Sequence, residues 1–237
     1  GWGCGFCTQA AAPFEDLPEA TILADAATNI AGGARDLSLA SEDLFRYGAK
    51  GGRPPGEALL GLLDALGRLE GARLLQVDHV NVSSTLALEP GMLRALKQAL
   101  CRRAGQRMPW VNIGVESASG ALLAASGCGA KMGGLPAGAW GEAALEAVRR
   151  LVEAGFVPMV SLILGLPAEE PAHIAATLAW VERLSGLPVM PVPVFHAPLG
   201  PGAEPFGRSG LAPLHARLLA RSLELGLALA PRIYRDN

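Results

Sequence analysis

Short apolar runs alternate with amphipathic stretches along most of this 237-residue chain. Strands separated by crossover helices must run parallel, and right-handed crossovers of one sense curl such a sheet toward a barrel. The pattern therefore predicts a single α/β domain over residues 1–237 with a parallel sheet. Five strands are expected, at residues 35–40, 74–80, 111–115, 156–167 and 187–198.

The stretches between these runs have helical periodicity. Gly32 and Gly33 follow the first of them, and Pro90 suits the first turn of another. A glycine-rich loop is expected over 119–138, and a carboxyl-terminal helical segment over about 211–237, with its leucine- and alanine-rich part at 211–229. The remaining helices are expected at 18–30, 55–71, 90–103, 140–154 and 168–184.

Composition excludes several classes of protein. Charges of both signs are scattered and the formal net charge is −2, so nucleic acid is not expected as a partner. No apolar run approaches the roughly 20 residues of a spanning helix, so no membrane association is expected. Four cysteines are too few for a disulfide scaffold in a chain of this length. We therefore expect a reducing, cytoplasmic location.

Polar residues follow the predicted strands. Parallel barrels carry their chemistry on the loops after the strands, so these residues predict a site at one rim of the sheet. Purely structural interpretations stay open, because Glu42 could cap a helix, Glu116 could be an ion-pair partner and 165–167 could be a turn. The candidates are Glu42, Asp43, Asp78, His79, Asn81, Glu116, Ser117, Gly165, Leu166, Pro167 and His196.

The chain opens with GWGCGFC, which places Cys4 and Cys7 three residues apart. This spacing alone fits half of a zinc site, a thioredoxin-like redox pair or ligation of an iron–sulfur cluster. Cys101 and Cys128 are isolated in the sequence, and lone cysteines are usually small buried side chains, so neither is assigned a role.

The order of the cysteine pair, ASED, GVES, GLPAEE and FHAPLGPG resembles radical S-adenosylmethionine enzymes. In that family a C-x3-C-x2-C loop precedes a partial parallel (β/α) barrel. Cys4 and Cys7 match the second and third cysteines, and the first would stand immediately before Gly1. The resemblance thus implies a chain cut inside the cluster loop, with the first strand of the barrel missing.

The resemblance also implies cofactors and site residues. Three thiolates hold a 4Fe-4S cluster and leave one iron open to the amino and carboxylate groups of S-adenosylmethionine. The reduced cluster then cleaves S-adenosylmethionine to a 5′-deoxyadenosyl radical. By this resemblance Cys4 and Cys7 bind the metal cluster. Glu42 binds the methionine ammonium, Glu116 and Ser117 reach the ribose hydroxyls or the amine, and Gly165, Leu166 and Pro167 lie along the adenine.

One subgroup is most similar, because IGVESAS is followed by CGAKMGGLPAGAW, GLPAEE and PVFHAPLGP. Its members carry an amino-terminal cobalamin-binding domain, which implies cobalamin bound upstream and cobalamin-assisted methyl transfer. Lys131 would then contact the S-adenosylmethionine carboxylate. The expected partners are a small-molecule or peptide substrate and an electron donor such as flavodoxin or ferredoxin.

Two alternatives remain. SEDLFRYG is also similar to a segment of methylthiotransferases, which are radical S-adenosylmethionine enzymes with a different outcome. An alternative of another class is a non-catalytic binding module with a zinc knuckle at the edge of a βα barrel.

Overall fold

The computed structural model describes residues 4–7, 15–49, 55–102, 107–199 and 204–236. All the strand pairs within these residues are parallel, with β1 beside β2 and with β3 to β6 forming a four-stranded sheet in chain order. The predicted parallel α/β fold is confirmed, while its closure as a partial barrel stays a prediction. The strands are β1 (Asp36–Leu39), β2 (Leu74–Val77), β3 (His79–Asn81), β4 (Trp110–Glu116), β5 (Val157–Leu164) and β6 (Met190–Phe195).

The strand predicted at 74–80 is divided at Asp78, so the described residues hold six strands where five were expected. The Asp78 amide donates to Leu39 O at 3.0 Å, whereas its carbonyl accepts from Asn112 N at 2.7 Å. Asp78 therefore passes the chain from pairing with β1 to pairing with β4. Its side chain also bonds to β4, because Asn112 Nδ2 donates to Asp78 Oδ1 at 2.6 Å.

Helices fill the connections between the strands. The six predicted helices are present with ends shifted by a few residues, and two short ones, α3 and α5, were not predicted. Helix α5 lies in the expected glycine-rich loop and begins where Ser119 Oγ accepts from Leu122 N at 3.3 Å. The described helices are α1 (Glu19–Ala31), α2 (Glu57–Leu66), α3 (Val82–Ala87), α4 (Pro90–Cys101), α5 (Gly120–Ala125), α6 (Trp140–Ala154), α7 (Pro171–Glu182) and α8 (Pro213–Asp236).

The core is built from one face of each of several helices and from the apolar residues of the sheet. In α6 the fully buried residues include Trp140, Ala144, Val148 and Leu151, at the helical spacing that forms one stripe. Similar stripes of buried leucines lie on α2, at Leu59, Leu62, Leu63 and Leu66, and on α4, at Leu93, Leu96 and Leu100. None of the helices described in these residue ranges has the length and apolar character needed to cross a membrane.

Replacing Leu151 by Ala should lower the free energy of unfolding by about 2–5 kcal/mol, because a fully buried leucine leaves a cavity behind it. The matched control is Leu223→Ala on α8, whose leucine is 63% exposed and should lose less than about 0.5 kcal/mol. Urea denaturation of the two variants measures both values. Equal losses at the two positions are inconsistent with this packing.

Candidate functional site

A cavity of about 300 Å³ lies at the carboxyl ends of β1, β3 and β4. Its wall includes eight residues that the sequence singled out, among them Cys4, Cys7, Glu42, Glu116 and Lys131. Glu42 and Glu116 follow different strands, and they face this one cavity as expected for a site at a single rim. The remaining wall is formed by Phe6, Ser41, Asp78, His79 and Asn81.

A buried ion pair closes one side of the cavity. Lys131 Nζ lies 2.7 Å from Glu116 Oε1, and the two side chains are 7% and 6% exposed. The alternative interpretation of Glu116 as an ion-pair partner is therefore correct for this structure. The carboxylate also faces the cavity, so the ion pair and a binding role are compatible.

The backbone conformation at the end of β4 directs the side chain of Glu116 toward Lys131. The register between β4 and β5 shifts between Gly114 and Glu116, and Glu116 has a φ of 62°, in the left-handed region that few residues other than glycine adopt. Gly114 is required for the approach of the pair. A Cβ at this position would lie 2.5 Å from Lys131 Nζ and 2.6 Å from Glu116 Oε1.

The charges of the site follow from burial and from this pair. Burial by itself lowers the pKa of Lys131, but the charge of Glu116 and its hydrogen bond outweigh burial, so the pKa is raised and the ammonium stays charged. Burial lowers the pKa of His79, and the nearby Lys131 charge lowers it further. The cavity wall thus combines a lysine–glutamate pair with an imidazole that is neutral near pH 7.

Glu42 is positioned by the hydrogen bonds around it. Asn81 Nδ2 donates to the Glu42 carbonyl at 3.3 Å, and Ser84 Oγ donates to Asp43 Oδ1 at 2.6 Å. Burial raises the pKa of Asp43, which is fully enclosed. The bonds from Asn81 and Ser84 bind the turn after β1 to the β3–α3 connection, and within that turn Ser41 Oγ accepts from the Asp43 N–H at 3.3 Å. Glu42 lines this cavity and also a neighbouring cavity of about 730 Å³, and the short helix that begins at Leu44 has no side-chain cap.

The turn formed by residues 4–7 lies at the cavity. The Cys7 amide donates to the Cys4 carbonyl at 3.0 Å, which closes the turn, and both cysteines line the wall. Cys4 is 8% exposed, and Cys128, in the loop after α5, is completely buried. The neighbouring Cys128 thiol, together with burial, raises the pKa of Cys4, and the neighbouring Cys4 lowers the pKa of Cys128.

Cys128 is the residue that sequence reasoning missed. Isolated in the sequence, it was treated as a small buried side chain, yet it lies near enough to Cys4 for each thiol to change the pKa of the other. It precedes Lys131 on the same short turn, where Lys131 N donates to Cys128 O at 3.1 Å. The CGAK sequence in a loop expected beside Cys4 and Cys7 was the available signal. Even so, the described residues bring no three His, Cys, Asp or Glu side chains together as metal ligands.

Ser117 does not line this cavity. It is 2% exposed, and its Oγ lies 3.0 Å from Thr177 Oγ1 of α7. The same oxygen accepts from Ser119 N at 3.1 Å. Because Glu116 takes a left-handed conformation at the strand end, Glu116 faces the cavity while Ser117 is held against α7.

The residues 165–167 also lie outside the cavity wall. Phe206 covers Gly165 so closely that a Cβ there would lie 2.1 Å from the ring, and Leu166 is 3% exposed. Glu169 Oε1 accepts from Gly165 N at 3.0 Å and lies 2.7 Å from Nε2 of His215 on α8. The segment forms a tight turn bound to α8, and its contact with adenine stays a prediction.

Two comparisons with known proteins add nothing to this description. No protein-family model matches the chain, and a search of curated proteins finds no match. The functional interpretation therefore depends on the quoted sequence segments and on the residues that line the cavity.

The Lys131–Glu116 pair predicts a specific pattern in a double-mutant cycle. Lys131→Met and Glu116→Gln should each destabilise the protein by about 3–5 kcal/mol, because each leaves a buried group without its partner. The double variant should lose less than the sum, with a coupling of about 0.5–3 kcal/mol from urea denaturation. The exposed Arg73–Asp36 pair, at the same 2.7 Å separation, is the control and should show little coupling. Additive losses for the buried pair are inconsistent with this geometry.

Proposed function

We propose that this cavity is the S-adenosylmethionine site of a radical S-adenosylmethionine enzyme, with Cys4 and Cys7 as two thiolate ligands of a 4Fe-4S cluster. The observation that carries the proposal is the meeting of five residues from four parts of the sequence. Cys4, Cys7, Glu42, Glu116 and Lys131 were selected from separate segments, and all of them line one cavity.

The charges of the wall match the methionyl end of S-adenosylmethionine. Its ammonium would be bound by the carboxylates of Glu42 and Glu116, and its carboxylate by Lys131. Charge-assisted hydrogen bonds of this kind are short and strong. Lys131 and Glu116 already neutralise each other at 2.7 Å. S-adenosylmethionine carries an ammonium, a sulfonium and a carboxylate, hence one net positive charge, which the carboxylate of Glu42 would offset.

The sulfur atoms at the cavity are the kind of ligand that iron–sulfur clusters use. Thiolates are the usual protein ligands of iron–sulfur clusters, and Cys4 and Cys7 present two of them at the cavity. When bound, the reduced cluster supplies the electron that breaks a carbon–sulfur bond of S-adenosylmethionine. The chain's own residues orient the ligand and exclude water from it. Phe6 adds an apolar wall, and the raised pKa of Lys131 keeps its ammonium protonated.

The partial barrel and the subgroup of enzymes are part of the same proposal. Parallel strands in chain order, with the cavity at their carboxyl ends, support a partial (β/α) barrel. The subgroup is proposed from the sequence resemblance alone. The same resemblance supports cobalamin-assisted methyl transfer, a small-molecule or peptide substrate, and an electron donor such as flavodoxin or ferredoxin. A cytoplasmic location is proposed from the cysteine usage.

Anaerobic reconstitution with iron and sulfide tests the cluster. A chain that carries one cysteine immediately before Gly1 should bind about four iron atoms, because it completes a C-x3-C-x2-C loop. With a reductant and S-adenosylmethionine it should release 5′-deoxyadenosine. The double variant Cys4→Ala, Cys7→Ala should lose both properties. The matched control, Cys101→Ala on α4, should keep them, because Cys101 is outside the cavity wall. Stoichiometric zinc with no 5′-deoxyadenosine would instead support the zinc-knuckle module.

Binding of S-adenosylmethionine to the reconstituted protein tests Glu42. Glu42→Gln should raise the dissociation constant about 10-fold or more, because it removes a charged partner of the ligand ammonium. Glu153→Gln removes an exposed carboxylate from α6 and should leave the constant unchanged. Equilibrium dialysis with labelled S-adenosylmethionine measures both. Equal affinities for the two variants would remove Glu42 from the site.

A further inference from the structure

Helix α8 carries apolar residues on two opposite faces. On its inner face Leu218 and Leu229 are buried, and the helix packs against α7 and β6. Its solvent-facing side carries a second row of apolar residues, called the outer row below. A helix that is apolar on both faces is typical of one that is covered on both. The outer row consists of Ala216, Ala220, Leu223, Leu227, Ala230 and Tyr234, all of them exposed.

The outer row has the spacing of a helix-pairing seam. Its successive residues are four, three, four, three and four positions apart, which is the heptad pattern of a and d positions. Residues at this period stay against a partner helix along its length. The large side chains of the row lie at the surface, because Leu223 and Leu227 are each 63% exposed and Tyr234 is 89% exposed.

The order of small and large residues in the outer row fits a second copy of the same helix. In one antiparallel register, Ala220 lies opposite Leu223 of the partner subunit, and Ala216 lies opposite Leu227 of the partner subunit. Every layer then places a small side chain against a large one, so the two helices can interdigitate at close distance. Pro231, which lies inside α8, is beyond these layers.

The charges beside the outer row are self-complementary in the same register. Arg217 and Glu224 are seven positions apart, so they lie on one flank of the row, at successive e positions. A two-fold axis perpendicular to both helices places this flank of each copy on the same side, so Arg217 faces Glu224 of the partner subunit. In a parallel pair the two flanks would lie on opposite sides. Both side chains are accessible, since Arg217 is exposed and Glu224 is 64% exposed.

We propose that the outer row of α8 is the contact surface of a symmetric antiparallel dimer of this chain. The apolar row forms the centre of the contact, and the two Arg217–Glu224 pairs specify its direction and register. Because the centre has only four side chains from each copy, the interface should be smaller than the roughly 1,200–2,000 Å² of stable complexes, and the dimer should dissociate on dilution. Dimerisation involves neither the cavity nor a cofactor, so it is independent of the proposed function.

Sedimentation velocity of the full chain over a range of concentrations tests the dimer. The sedimentation coefficient should rise with concentration toward that of two chains. Leu223→Glu should raise the dissociation constant about 100-fold or more, because it places a charge in the apolar contact. The matched control, Leu17→Glu, changes a leucine that is also 63% exposed but lies before α1, and it should leave the constant unchanged. A chain that stays monomeric up to about 1 mM overturns the proposal.

An exchange of charges separates this dimer from unspecific association of apolar surfaces. Arg217→Glu and Glu224→Arg should each raise the dissociation constant about 10-fold, because each places two pairs of like charges across the contact. An equimolar mixture of the two variants should associate again, since the mixed dimer has opposite charges at both positions. This recovery also shows that both variants are folded. A mixture that associates no more strongly than either variant alone would overturn the proposal.

Discussion

The buried pair between Lys131 and Glu116 is the interaction on which the rest of the site depends. Two groups that are 7% and 6% exposed have lost most of their hydration, and their 2.7 Å contact compensates for that loss. To form it, β4 ends in a left-handed residue, and Gly114 leaves room for both side chains. The pair also ties the short helix of residues 129–132, which follows Cys128 directly, to the end of β4.

The fold was predictable where periodicity extends over many residues. The long apolar runs became β4, β5 and β6, and the stripes of α2, α4 and α6 became the buried faces of helices. The six-residue helices α3 and α5 were missed, because so short a segment shows less than two turns of pattern. The division at Asp78 was missed because it depends on which neighbouring strand accepts each hydrogen bond, and this is decided by tertiary structure.

The candidate site was predictable in its charged residues and less so in its neutral ones. Carboxylates at strand ends and cysteines before a parallel sheet converge on one rim, so Glu42, Glu116 and Cys4 meet there. Ser117 is held elsewhere by the backbone conformation of the residue before it. Gly165 is covered by Phe206, which lies far away in the sequence, so a local pattern carries no signal for this contact.

A crystal structure of the reconstituted protein, with one cysteine added before Gly1 and S-adenosylmethionine bound, tests the central claim most directly. We expect anomalous scattering from a four-iron cluster at the sulfurs of Cys4 and Cys7. The methionyl group should lie between Glu42 and Lys131. A single zinc ion at the two cysteines, or S-adenosylmethionine bound away from this cavity, is inconsistent with the proposed site.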